Sequence, residues 1–421
     1  MAQTVFQERK SDKRLKAGAL QLTLVITLIV TILLGSLIYL YAFYQQQDKF
    51  MARRAKLYVL MDSAMEIARS GFLDYGDTVL VHTLYEGDTI GLGKRPWGLY
   101  EQVSVTVKWQ GDSLQKAFLL GLTAQDSTTL YVADEDRNIS VSGKTHIQGT
   151  AYLPKAGIKP AFVDGKFYEG EKDIVAGERK TSTRQLPDVQ IALLEKVYPL
   201  TDTPFANRLY GTHSFFGHTA YWYSTEPIVL ERDSVVGNIV IQSDTVVEVR
   251  AGAALRDIIC LAPVVRIASG FRGRIQVFAQ DSIIVGDQVR LEYPSALVLD
   301  ASDGLSTRRR ISIGKQVEVT GTLLLYEAER SKTAHLLEIG EKGDVRGDVI
   351  VHGMLKYSKP LKIRGAAYCY RFITQTPRSL YENYLIDVDL DRSKKDPYML
   401  DTFVWDRPQE KQQRHILSWV N

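Results

Sequence analysis

The stretch "LLEIGEKGDVRGDVIVHGMLKYSKPLKIRGAAYC", Leu336 to Cys369, sets apolar pairs at a fixed six-residue step. The pairs are Leu337/Ile339, Gly343/Val345, Val349/Val351, Leu355/Tyr357, Leu361/Ile363 and Ala367/Cys369. Residues two apart on a strand share a face, so each pair forms the inward side of a short half-buried strand. The rest of each step is a corner. Three such sides predict a coil of about 18 residues with a triangular cross-section, stacked on the next at about 4.8 Å. Glycine follows an inward residue in "IQGT", "VTGT", "VRGD" and "IRGA", where a corner needs a permissive backbone.

Working outward, the same step runs from Val247/Val249 through Ala253/Leu255, Ile259/Leu261 and Val265/Ile267 to Val289/Leu291. It resumes at Ile311/Ile313, Val317/Val319 and Leu323/Leu325, and an earlier copy holds Ile139/Val141, Thr145/Ile147 and Ala151/Leu153. In this register Cys369 points inward and Cys260 outward, which predicts two free thiols. "DASDGLSTRRR" and "AERSKTAH" read as loops that leave a corner and return.

Towards the N-terminus the period changes. Ala17 to Gln47 holds no Asp, Glu, Lys or Arg, and Leu20–Tyr44 is dominated by Leu, Ile, Val and Tyr. A bilayer core needs about 20 such residues in a helix, and "LYAFYQQQ" supplies an aromatic and polar exit. Leu57, Leu60, Met61, Ala64, Ile67, Ala68, Gly71 and Phe72 then recur at three- and four-residue spacing, which predicts one helix running on into an amphipathic segment. "YEQVSVTVKW" and "LQKAFLLGL" flank a "QGDS" turn and predict a hairpin.

The expected fold is mainly β, behind a long N-terminal transmembrane-plus-amphipathic α-helix. Residues 1–18 form a basic leader-like tail, 19–46 the transmembrane helix, 47–76 its amphipathic continuation and 77–135 a small antiparallel β region. Residues 136–153 form the first coil of a triangular parallel β-helix and 234–372 its main body. Residues 154–233 form an insertion with a short helix, "PDVQIALLEKVY", and an aromatic segment; 373–421 form a C-terminal cap. The cap is expected to cover an open strand edge.

Charge excludes some functions. The net charge of +3 gives no nucleic-acid footprint. The membrane flanks balance: five cations against two anions before the span, and four against one after it. The orientation with a cytoplasmic N-terminus follows instead from the short tail, which has nothing to fold there. That makes the chain a single-pass inner-membrane protein with its bulk outside the cytoplasm, periplasmic or in a surface filament.

The front of the chain resembles the minor pilins and pseudopilins of type IV pilus and type II secretion systems. The resemblance rests on a basic leader, Gly18–Ala19 as a candidate cleavage junction, the apolar helix, and "LYVLMDSAMEIARSGFLDY" as the helix tail entering a soluble head. Thr23 stands at the fifth mature position, where major members of that family carry Glu and some minor, tip-type members do not. The resemblance implies partners among single-helix pilin-like subunits or pilus and secretion assembly proteins, besides membrane lipid and self-association. The solenoid separately resembles bactofilins in its glycine corners and triangular period.

Ala19, Thr23, Thr27, Thr31 and Gly35 form a small-residue stripe for helix packing, with threonine able to hydrogen-bond across the contact. Phe215, Phe216, Tyr221, Trp222 and Tyr223 form a candidate interaction surface for glycan or protein, weighed against simple packing onto the host domain. His213, His218, His335 and His352 lack paired ligand spacing, so no metal or other cofactor is expected. Arg256, Arg274 and Glu292 stack as a mixed ladder rather than a carboxylate ladder, and "GLG" at Gly91–Gly93 lacks the residues of a phosphate loop. The expectation is a non-enzymatic assembly component; the alternative is a tethered β-helical protein that binds or degrades polysaccharide.

Overall fold

The computed structural model describes residues 17–123, 127–189, 205–206, 208–302, 307–330, 334–376, 379–405 and 413–420. Residues 1–16 of the expected leader (1–18) and most of the expected short helix lie outside them. The protein is mainly β with one long N-terminal apolar helix.

That helix, α1, spans Ala17–Arg69 without a break. At 1.5 Å per residue it is roughly 80 Å long. Leu57, Leu60, Met61, Ala64 and Ala68 are buried on one face, as the spacing predicts, while the residues from Gly18 to Met51 are exposed. The helix stops earlier than the expected 47–76 continuation. Gly71 takes φ +83, a left-handed conformation that ends helices, and Phe72 swings out to 92% exposure.

The buried face of α1 lies on an antiparallel sheet of β1 (Gly76–Val81), β2 (Thr89–Trp97), β3 (Tyr100–Trp109) and β4 (Asp112–Leu122), with Arg414–Trp419 as the last strand beside β4. The predicted hairpin is β3–β4, turned at Gln110 and Gly111, both with positive φ. Val103, Val105, Val107, Phe118 and Leu120 face the helix. Trp97, Leu99, Tyr100, Ala117 and Leu119 face the other way, onto a large parallel sheet. The order is helix, antiparallel sheet, parallel sheet.

The parallel sheet is organised as three ladders. One runs Trp222, Ile241, Cys260, Val277, Leu297, Leu323, Val349 and Ala367. A second runs Ile228, Val247, Val265, Ile283, Ile311, Leu337, Leu355 and Phe372. A third runs Gly273, Leu291, Val319, Val345 and Ile363. All but Gly273 join one buried cluster. Strands of the first ladder are also covered outside by the antiparallel sheet, so Leu323, Leu324 and Leu325 are all fully buried. Burial on both faces explains why these strands read as continuous apolar runs rather than alternating ones.

Four expectations need correction. The described strands of 154–233 join the ladders: Val175–Ala176 and Arg179–Thr181 pair with His146–Gln148 and Thr150–Leu153, while Gly211–His213, Ala220–Ser224 and Ile228–Leu230 pair onto the strands of 234–249. Their short strands and aromatic composition hid the six-residue step. The described strands of 373–421 pair within the sheets rather than capping an open end. Val388–Asp391 lies between Leu361–Arg364 and His146–Gln148, and Arg414–Trp419 completes the antiparallel sheet. The antiparallel region ends before 135, because Thr128–Val132 pairs in parallel with Ala367–Gln375. Finally, Asp257 takes φ 58 and interrupts the ladder, so Ile258 and Cys260 point into the core while Ile259 and Leu261 face outward. A one-residue shift moves every following side chain to the other face.

The stacking order therefore differs from the chain order. Ala367 is followed by Leu130 and Ala151, and Ile363 by Leu390, Ile147 and Val175. The early and late strands interleave at a seam held partly by Asp387. Its carboxylate accepts from the Lys144 N–H at 3.0 Å and from Lys166 Nζ at 3.1 Å. Burial pushes its pKa up, but these bonds outweigh burial and hold it below the usual carboxylate range. A depressed folded pKa stabilises above the unfolded value, and the contribution is lost as pH falls through the folded pKa. Thermal melts from neutral to acid pH should show this loss in the wild type and a smaller acid dependence in Asp387→Asn, which retains the left-handed backbone.

Candidate functional site

Ala19, Thr23, Thr27, Thr31 and Gly35 occupy successive turns of the exposed part of α1. A four-residue step advances about 400° around a helix, so the stripe winds obliquely and suits a partner crossing at roughly −40°. A Cβ added at Gly35 would meet nothing, so the surface is open within this chain. The threonine hydroxyls do not face outward as donors. Thr23 Oγ1 donates to the Leu20 carbonyl at 2.8 Å, Thr27 to Thr23 at 2.9 Å, and Thr31 to Thr27 at 2.7 Å. What the stripe offers is a shallow surface of small groups. Gly18 and Ala19 are both within the helix.

The aromatic segment is divided. Phe215 is buried edge-on against Trp97 at 5.1 Å, and Trp222 is buried in the main core. Tyr221 is half-buried, and Tyr223 donates its hydroxyl to Asp244 at 2.6 Å. Phe216 is exposed. These five side chains do not form one outward surface, because alternate residues of a strand face opposite sides.

The histidines separate similarly. His218 is exposed, His213 half-buried, and His335 and His352 buried. His146, which the sequence reading did not single out, meets Asp389 and Asp391. Lys394 sits 2.8 Å from Asp391 and supplies this group with a cation. Arg256 pairs with Arg274 as expected; Arg274 also donates to Asp257 at 2.6 Å, and Glu292 pairs with Arg272. Gly91–Gly93 lies within strand β2. Cys260 and Cys369 are free and buried, and burial pushes the Cys260 thiol up to about 12.

Two buried ionic groups, both missed in the sequence, join the layers. Glu101 on β3 meets Lys94 at 3.3 Å and Arg414 at 3.1 Å, and accepts from Tyr75 at 3.1 Å. Lys94 also donates to the Leu73 carbonyl, and Arg69 of α1 donates to the Arg414 carbonyl. Burial pulls the Lys94 pKa down despite the neighbouring carboxylate. The second group holds Asp401 against Lys395 at 2.5 Å and Arg392 at 3.8 Å, with Asp348 bonded to Arg392 at 3.3 Å. Burial and the Asp348 charge push the Asp401 carboxyl up. Gln276 spans the two sheets, accepting from the Leu99 N–H and donating to the Trp97 carbonyl. Motion of the end of α1 relative to the head would break the Arg69–Arg414 bond. No sequence signal could have found these groups, since each set joins residues far apart in the chain.

No family model, curated protein or solved structure matches this chain.

Proposed function

We propose that this protein is a membrane-anchored, non-enzymatic assembly component, similar in role to minor pilins and pseudopilins. The observation that carries the reading is the division of α1. Its first part is apolar, exposed and long enough to cross a bilayer, and the same helix is then buried from Leu57 to Ala68 on a sheet. One rigid rod would thus serve both as anchor and as spine of the head. The N-terminus would be cytoplasmic, and the β head would stand outside the cytoplasmic membrane.

In this reading the three parallel ladders are the three sides of a triangular parallel β-helix. Support comes from partner spacing: Val265 to Ile283 and Leu337 to Leu355 are each 18 residues apart. The longer steps from Ile283 to Ile311 and from Ile311 to Leu337 contain the two expected loops. Such a head transmits position with little bending.

The partner would be another single-helix subunit, or a second copy, lying across the stripe from Ala19 to Gly35. Thr31→Leu together with Gly35→Leu keeps the span apolar but removes close approach. The double variant should insert normally and lose its co-purifying helix partners. Full recovery of those partners, with a chain retaining residues 1–18 by intact mass, would remove the assembly reading.

A further inference from the structure

An open cavity of about 430 Å³ lies outside the corner where the third ladder passes into the first. The register breaks there on successive strands, between Arg256 and Ile258 and between Gly273 and Gln276. Such irregularities re-aim side chains. Three guanidinium groups, Arg256, Arg272 and Arg274, and one carboxylate, Glu292, line the space.

Their pairing is incomplete. Arg272 Nε donates to Glu292 at 2.8 Å, and Arg274 donates to Asp257 at 2.6 Å. Arg290, the next cation along, faces Glu318 at 3.5 Å. Arg256 is exposed, and among the described residues its guanidinium has no hydrogen-bond or ion-pair partner; Asp257 and Glu292 act on it only from further away. It is also the direct cross-strand neighbour of Arg274, an arrangement in which like charges repel. The group therefore carries one positive charge in excess, on a residue that solvent reaches.

The lining also limits what can balance that charge. A guanidinium presents a planar fork of N–H donors that matches a carboxylate at two points. Arg272 holds the Glu292 carboxyl below its usual range, so Glu292 stays ionised and repels a second negative charge. The remaining lining, Val236, Ala254, Leu255 and Gly273, carries no polar side chain. The volume exceeds the roughly 150 Å³ that holds benzene, which leaves room for a ring behind the charge.

We infer that this cavity binds a single carboxylate carried on a small apolar body, with Arg256 as its bidentate partner. The site is independent of the stripe on α1 and of the assembly reading. Full-length protein in phosphatidylcholine nanodiscs would be titrated at low salt with benzoate, its neutral analogue benzamide, and phenyl phosphate. Benzoate should bind saturably in the millimolar range, and the other two about tenfold more weakly or worse. Arg256→Gln should weaken benzoate about tenfold and leave the melting temperature unchanged, because Arg256 holds no pair. Bound benzoate should also slow the modification of Arg256 by phenylglyoxal, read by peptide mass. No saturable binding, a benzamide or phenyl phosphate affinity equal to or above that of benzoate, or unchanged benzoate binding in Arg256→Gln overturns the assignment. If the variant does not fold, wild-type protection decides: bound benzoate that leaves Arg256 equally reactive also overturns it.

Discussion

Val319→Asp unfolds the head. Val319 is 1% exposed and sits between Leu291 and Val345 in the third ladder. An unpaired carboxylate there costs several kcal/mol, against a total stability of about 5–15 kcal/mol for ordinary domains. Its neighbour Glu318 is half-exposed and faces Arg290 across 3.5 Å, an interaction of about 1 kcal/mol or less. Glu318→Lys should leave the circular dichroism spectrum and melting temperature close to wild type. Equal melting of the two variants would show the inward register to be wrong.

Glu101→Ala should be the second severe change. It strands Lys94 and Arg414, whose side chains are only 4% exposed, without their shared carboxylate. Removing one partner of a buried ion pair costs about 3–5 kcal/mol. Because Arg414 begins the last strand and its carbonyl holds Arg69, the C-terminal strand and the end of α1 should loosen together. Limited proteolysis should then cut near Arg69 and near Arg414 at the same protease concentration. Loss of stability without such cleavage would mean that the group does not couple these elements.

Deleting residues 154–233 should unfold the head rather than leave it intact. The deletion removes strands from both ends of the ladder order, so a Gly/Ser bridge should not restore a native melt. Stacked repeats depend on their neighbours, and both terminal rounds would lose theirs.

Much of this fold could be read directly. The columns from Ile311 to Cys369 and the α1 stripe follow from periods of two and of 3.6, which survive wherever burial is one-sided. Asp257 shows why the register failed at Ile259: a single left-handed residue shifts the face and leaves no trace in an apolar run such as "IICLA". The rounds at 211–230 were hidden because Trp222 and Ala220 carry the inward side in a segment rich in Gly, His and Tyr. The interleaved seam was illegible for another reason. Periodicity reports which face a residue takes, not which strand it lies beside, so the pairing of Leu390 with Ile147 had no local signal.

The glycine corners have a steric cause that the sequence suggested only as backbone freedom. Gly321 and Gly347 take φ +145 and +135, and a Cβ at either would strike the carbonyl of the strand stacked beneath, at Ser295 and Gly321 respectively.

The assembly role rests on one physical claim, that the small-residue face of α1 touches another helix. A photo-crosslinking residue, p-benzoylphenylalanine, placed at Thr27 lies on that face; placed at Ile29 it lies about 200° around the helix. Irradiation of native membranes should give a protein adduct from position 27, with a second copy or another single-helix subunit, and only lipid adducts from position 29. Equal protein adducts from both positions, or none from either, would contradict a packed stripe and leave α1 as a plain anchor.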